Sequence, residues 1–312
     1  MEYTEQQKSA FPRVLAAKEN WKDRLSEMPG VTGVGVCLRQ EDGRTTEDLA
    51  VLIACSSAAR ASITAALPND IDGHPIEILE TGDDGVGGDP ELPEPDAAAA
   101  RVDPIIGGVQ IQAADKPGVG TLGVVAKASS TSVMLTNSHV VYETVGIEID
   151  QPAPVTIGSR ICGKVTRATK QNVSYGGSQY YVDAAIAERH GFRARSFSPF
   201  VITGGITVSG SATAVLGEAV SKTGIGSGVT QGTVYAVNFD DTSLNRKNIV
   251  LVQSTTSGGK FSEAGDSGSV ILNSSNQVVA LLYGDAELGS GAKVTTACAV
   301  GAVESAMGVS FT

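Results

Sequence analysis

Residues 263–272 read E-A-G-D-S-G-S-V-I-L, from Glu263 to Leu272. A Gly-Asp-Ser-Gly turn running into an apolar stretch poses one alternative: Ser267 is either a nucleophile or a hydroxyl in a glycine-rich turn. Asp, Ser and Gly recur in turns for ordinary steric and hydrogen-bonding reasons, so the tetrapeptide alone decides nothing. A nucleophilic serine needs an imidazole to take its proton and a carboxylate to fix that imidazole's tautomer. It also needs two backbone donors for the oxyanion.

The search for the imidazole is short, because the chain has 3 histidines. His190 sits in E-R-H-G-F-R-A-R, a polar, basic stretch that reads as an exposed loop. His74 lies in the turn N-D-I-D-G-H-P. His139 differs: in S-V-M-L-T-N-S-H-V-V it directly follows an apolar strand, so it rides on a rigid element. For the carboxylate, Y-Y-V-D-A-A-I-A places Asp183 between apolar residues that would bury it, with Asp150 and Asp240 as competitors.

Outward from these residues, short Val/Ile/Thr-rich runs recur between Gly, Ser, Asn and Asp from Ile105 onward. V-Q-I-Q, T-L-G-V-V-A-K, Q-P-A-P-V, Q-G-T-V-Y-A-V, I-V-L-V-Q and V-V-A-L-L-Y-G are examples. Many short strands at regular spacing predict an all-β sandwich or barrel region. The last such stretch, A-C-A-V-G-A-V-E-S-A-M-G, reads as a closing helix. Upstream, Phe11, Val14, Leu15, Trp21 and Leu25 have helical spacing, which predicts a packing helix between Tyr3 and Glu27 that starts or breaks near Pro12. V-T-G-V-G-V-C-L-R and L-A-V-L-I-A-C predict a hairpin, A-A-R-A-S-I-T-A-A-L-P a short helix, and H-P-I-E-I-L-E a further strand. The expected organisation is therefore a helix plus a small β-β-α-β domain over 1–81, an acidic Gly/Pro-rich linker over 82–104, and a β domain over 105–312.

Composition narrows the function. The net charge of −11 opposes non-specific nucleic-acid binding. No apolar run is long enough to span a membrane, and the polar start M-E-Y-T-E-Q-Q-K has no signal-peptide pattern. The 4 cysteines are scattered without a C-x-x-C pair, which favours free thiols in a reducing, cytoplasmic setting. No zinc-type His/Cys spacing occurs, so neither metal nor cofactor is expected. The glycines of S-K-T-G-I-G-S-G are not followed by G-K-[ST], so they read as structural turns rather than a phosphate loop.

Taken together, T-N-S-H-V-V, Y-Y-V-D-A-A-I-A, V-S-K-T-G-I-G-S-G-V-T-Q-G-T-V and G-D-S-G, in that order, resemble the trypsin-like (chymotrypsin-fold) serine peptidases. The type is bacterial and intracellular, with an N-terminal α+β appendage. The resemblance covers roughly Ile105 to Gly308. It implies a mainly β fold with two six-stranded antiparallel barrels and a C-terminal helix. It also implies an endopeptidase acting on protein or peptide substrates, with His139, Asp183 and Ser267 as the triad. By the same resemblance, the Gly265 and Ser267 N–H groups form the oxyanion hole. Leu282, Tyr283 and Gly284 form the strand edge for an extended substrate. Phe261 floors the first specificity pocket; its lack of charge removes a trypsin-like ion pair and favours small or apolar residues there. Asp285 and Glu287 remain near enough to attract a basic side chain.

Family members often have a serine two residues before the glycine matching Gly284, bonded to the triad acid, whereas this chain has Leu282. The alternative reading is a weak or inactive scaffold that binds peptides or partner proteins. The N-terminal domain would serve regulation, oligomerisation or partner sensing. I-I-G-G at Ile105 to Gly108 resembles the N-terminus of an activated trypsin. Pro104 before it suits no Arg/Lys-directed cut, and the expectation is an active uncut chain in which internal donors satisfy Asp266.

Overall fold

A computed structural model describes residues 2–42, 44–82, 91–94, 100–152, 160–190, 195–256, 259–287 and 293–312. Most of the predicted linker (83–90 and 95–99), the Q-P-A-P-V stretch beyond Pro152, and 191–194 of the His190 loop lie outside the described residues.

Helix α1 (Glu5–Ser26) starts earlier than the Pro12 signal suggests, and Pro12 lies inside it. Thr4 and Gln7 form a capping box that satisfies the first donors, while Val14, Ala17 and Leu25 bury one face. Tertiary burial thus outweighs the hydrogen bond lost at Pro12. The hairpin β1 (Val31–Glu41) and β2 (Arg44–Ser56) follows, then α2 (Arg60–Ala66) and β3 (Ile76–Thr81), which lies parallel to β2. This is the β-β-α-β order read from the sequence.

A short strand β4 (Ile105–Gly107) leads into a curled seven-stranded sheet. It contains β5 (Val109–Ala113), β6 (Gly120–Leu122), β7 (Val124–Ala128), β8 (Thr131–Thr136), β9 (Glu148–Asp150), β10 (Ile161–Tyr175) and β11 (Ser178–Arg189). Its order is β6-β5-β9-β10-β11-β8-β7. Only Gly123 separates the two end strands, so the sheet curls on itself around Ile111, Leu122, Val125, Met134 and Ile149.

Next come β12 (Phe197–Ile202), β13 (Ile206–Thr207) and β14 (Gly210–Ser211), and then the strands of the second β unit. These are β15 (Ala219–Gly224), β16 (Gly228–Asp241), β17 (Arg246–Ser254), β18 (Val270–Asn273), β19 (Gln277–Glu287) and β20 (Lys293–Ala299). The order β15-β18-β19-β20-β17-β16 is closed by the β15–β16 pairing, giving a six-stranded barrel. Buried and exposed positions alternate along its strands, for example buried Val220 and Lys222 against exposed or half-buried neighbours. Helix α3 (Val300–Met307) closes the chain and ends at Gly308 in the left-handed region (φ 63). The helix is shorter than the predicted closing segment because Ala297 and Cys298 pair with β19 in β20.

Strand β16 is shared. Its first half, Gly228–Thr233, pairs with β15, and its second half, Ala236–Asp241, pairs with β1. The N-terminal strands therefore continue the sheet of the second barrel. Lys18 of α1 adds a buried ion pair to Asp240 of β16 at 2.8 Å.

Candidate active site

His139 opens a single 3₁₀ turn, His139–Val141, just after β8 ends at Thr136. Buried Val140 and Val141 anchor that turn in the core of the curled sheet. Asp183 lies in the middle of β11, next to the neighbouring strand β8, with buried Val182 and Ala184 on either side. An isolated carboxylate there would be costly. Three donors compensate: Oδ1 accepts the Ser138 N–H at 2.7 Å and the His139 N–H at 3.1 Å, and Oδ2 lies 2.7 Å from His139 Nδ1. Asn137 Nδ2 donates to the Asp183 carbonyl at 2.7 Å, and the Asp183 N–H donates to Cys298 Sγ at 3.2 Å. With Nδ1 donating to the carboxylate, the neutral imidazole presents Nε2 as an acceptor. Nε2 has no hydrogen-bond partner among the described residues.

Ser267 sits in a turn whose glycines, Gly265 and Gly268, both have φ +96, a conformation that favours glycine. Thr121 of β6 ties this turn to the His139 side. Its N–H donates to the Ser267 carbonyl at 2.8 Å and its Oγ1 to the Gly265 carbonyl at 2.7 Å. Thr136 Oγ1, at the end of β8, donates to the Thr121 carbonyl at 2.8 Å. His139 and Asp183 are joined directly, and Thr121 ties the backbone of the Ser267 turn to the strand end that precedes His139. The Gly265 and Ser267 N–H groups have no acceptor among the described residues, so both can still donate.

Asp266 is held more firmly than any other residue of the turn. Oδ1 accepts from the Gly226 and Ser227 N–H groups at 2.9 and 3.2 Å. Oδ2 accepts from Ser227 Oγ at 2.6 Å and the Glu263 N–H at 3.0 Å, and pairs with Lys222 Nζ at 2.8 Å. Burial pulls the Lys222 ammonium below its ordinary pKa, and the Asp266 charge pushes the other way. These are the internal donors the sequence called for. Ile105 is fully buried within the chain, and its N–H donates to the Ser196 carbonyl at 2.9 Å.

The remaining predicted residues divide. Gly284 pairs with Thr296 of β20, and from Gly284 to Glu287 the opposite edge of β19 meets no strand among the described residues. Leu282 is committed: its N–H donates to the Ser269 carbonyl at 2.9 Å, and its carbonyl accepts from the Gly268 N–H at 3.0 Å. Tyr283 is buried, edge-on to Tyr181 at 5.2 Å, with the Arg246 guanidinium over both rings. The Phe261 ring is 1% exposed and lies so close to Gly232 that an added Cβ would come within 2.6 Å of it. Asp285 is paired with Lys293 at 2.9 Å. The competing groups are engaged elsewhere: Asp240 with Lys18, and His190 with Glu148 at 3.1 Å. Residues 288–292, next along the chain from the β19 edge, lie outside the described residues.

Sequence reasoning missed Lys222 and Thr121. Lys222 had a usable signal, a cation on the inward phase of V-S-K-T-G, where a charge must find a partner. Thr121 carries no signal beyond a strand threonine.

No protein-family model matches the chain, and no curated protein matches it. Among solved structures it is similar to a glutamic acid specific serine protease that uses a histidine triad in substrate binding, at 20% identity over 67% of this chain and 100% of that one, TM-score 0.49. It is also similar to the chymotrypsin of Cellulomonas bogoriensis, at 20% identity over 67% and 98%, TM-score 0.47. Protease A of Thermobifida fusca is similar at 17% identity over 66% and 96%, TM-score 0.46. With a curled sheet and a closed barrel meeting at Thr121, and a terminal helix behind them, the chain has the chymotrypsin fold.

Proposed function

We propose that the chain is a serine endopeptidase that hydrolyses peptide bonds through an acyl-enzyme. The observation that carries this reading is the buried Asp183 carboxylate, which holds His139 Nδ1 at 2.7 Å and leaves Nε2 free to accept. In this mechanism Nε2 takes the Ser267 hydroxyl proton as Oγ attacks the peptide carbonyl, and Asp183 stabilises the imidazolium. The Gly265 and Ser267 N–H groups receive the oxyanion, each worth on the order of 3 kcal/mol of transition-state stabilisation. The imidazolium then protonates the leaving amine. A water, deprotonated by the same nitrogen, releases the acyl group. The free edge of β19 at Gly284 supports an extended peptide on the acyl side.

The 4 cysteines are free and buried, which suits a reducing compartment such as the cytoplasm. Among the described residues no helix is long and apolar enough to cross a membrane.

The test is labelling with a fluorophosphonate probe, read by intact mass. One adduct is expected on the wild type and none on Ser267→Ala, with the two melting alike. Equal labelling of both chains would remove Ser267 from the chemistry, and no label on either would favour a peptide-binding scaffold.

A further inference from the structure

The acidic linker leaves its mark on the site. Residues Glu91–Glu94 run against the segment between β5 and β6, and the Val119 N–H donates to the Pro93 carbonyl at 2.8 Å. The Pro93 ring covers Gly265: a Cβ added there would lie 3.1 Å from Pro93 Cγ. Leu92 covers Gly118, where an added Cβ would fall 2.5 Å from Leu92 Cβ, and its side chain packs on the core of the curled sheet. Glu94 lies close enough to Tyr142, three residues beyond His139, for its charge to help raise that phenol's pKa after burial. This part of the stretch read from sequence as an acidic Gly/Pro-rich linker is thus seated by one main-chain bond and two apolar contacts. It reaches from the nucleophile turn to the turn that carries His139.

The side of the cleft follows from the chemistry proposed above. The leaving amine takes its proton from His139 Nε2, so it departs along the wall that carries His139. That wall includes the segment ending in β6: Gly120 packs so closely on Val140 and the Ser267 carbonyl that a Cβ there would lie 2.5 Å from Val140. On this side the Val119 N–H is a main-chain donor, and the surface over Gly265 a space, that an extended ligand would compete for. Pro93 holds both, and Leu92 anchors it over Gly118. We propose that Leu92-Pro93 is an autoinhibitory strap that must lift before a peptide can occupy the leaving-group side of the cleft. The proposal rests on the peptidase reading only for its naming of that side.

Several features suit a strap that can be displaced. Pro93 has no N–H, so it makes a single main-chain bond where a peptide with a free N–H at that position could add a second. Glu91 and Glu94 at its ends are exposed. A small electrophile that reacts with Ser267 needs no space over Val119, so the strap discriminates against long ligands alone.

The test compares the full-length wild type with Leu92→Ser/Pro93→Gly. Three measurements are made: fluorophosphonate labelling rate, hydrolysis of a mixed-sequence quenched octapeptide library below saturation, and deuterium exchange at the Val119 amide. The variant is expected to label at the wild-type rate and to exchange Val119 faster. It should also hydrolyse the library about 5-fold faster, the order expected when one main-chain hydrogen bond no longer competes. Equal library turnover by two labelled chains overturns the strap, even if exchange at Val119 rises. If neither chain labels, the peptidase reading fails, and Val119 exchange alone decides: unchanged protection sinks the strap and lost protection keeps it as a contact that closes this surface.

Discussion

The Lys222 ammonium lies 2.8 Å from the Asp266 carboxylate, and neither side chain is exposed. One residue before Ser267, this pair fixes the turn that would present both oxyanion donors. Lys222→Met leaves a buried carboxylate without its cation, at a cost of about 3 kcal/mol or more. The expected result is a lower urea midpoint together with fluorophosphonate labelling slowed at least tenfold under conditions where the variant is still folded. Wild-type labelling in folded Lys222→Met would show that the turn is held without the pair. Asp266→Asn/Lys222→Met should recover part of the stability, since it removes both charges.

Asp183→Asn tests the orientation of His139. The Ser138 and His139 N–H groups both point at Oδ1, so the amide oxygen of the variant must take that position. Its NH₂ then faces His139 Nδ1, which becomes an acceptor, and the proton moves to Nε2, where it cannot receive one from Ser267. Turnover should fall about 10⁴-fold with the fold intact, as loss of the correct tautomer does elsewhere. A fall of less than tenfold would mean that Asp183 does not set the tautomer.

What the sequence made legible was local. T-N-S-H, V-D-A-A and G-D-S-G each sit at a strand end, in a strand or in a turn whose residues announce that geometry; the His139–Asp183 bond and the ties of Thr121 to the Ser267 turn carry no such mark. The β-β-α-β order was legible for the same reason. The pairing of β1 with β16 was not, because a hairpin's alternation is the same whether its outer edge faces water or joins another sheet. The engagement of Leu282 was likewise hidden, since a main-chain bond to Gly268 leaves no mark on side-chain identity. The close packing of Phe261 on Gly232 was hidden too, since position in the chain does not say which backbone a buried ring meets. The role of Glu91–Glu94 was masked by composition, because acid, Gly and Pro predict a linker whether or not two of its residues find a surface.

The thiols should be silent in the native protein. All 4 cysteines are buried and free, and burial raises each thiol's pKa, that of Cys162 to about 12. A raised pKa means less thiolate at a given pH, so at pH 8 Cys162 would be ionised only to about one part in 10⁴. Iodoacetamide at pH 8 is therefore expected to leave the folded chain unmodified over an hour and to alkylate all four sites in urea. Rapid modification of any one cysteine in the native protein would contradict its burial.

The last prediction concerns residues 1–104, read from sequence as a separate domain and a linker. β1 covers the Ala236–Asp241 half of the β16 edge, and Lys18 neutralises Asp240, which also accepts the Asn248 N–H. Removing the segment would uncover a strand edge carrying Val237 and Phe239, both buried at present, and strand a carboxylate. An uncovered apolar edge is a template for pairing with another chain. We therefore expect 105–312 alone to elute as aggregates or oligomers in size exclusion rather than as a monomer. In the full chain, Lys18→Met isolates the electrostatic part and should cost about 3 kcal/mol in urea unfolding without changing the oligomeric state. A monomeric 105–312 with the melting temperature of the full chain would show that the second barrel is complete without β1, and that residues 1–104 serve a purpose other than its folding.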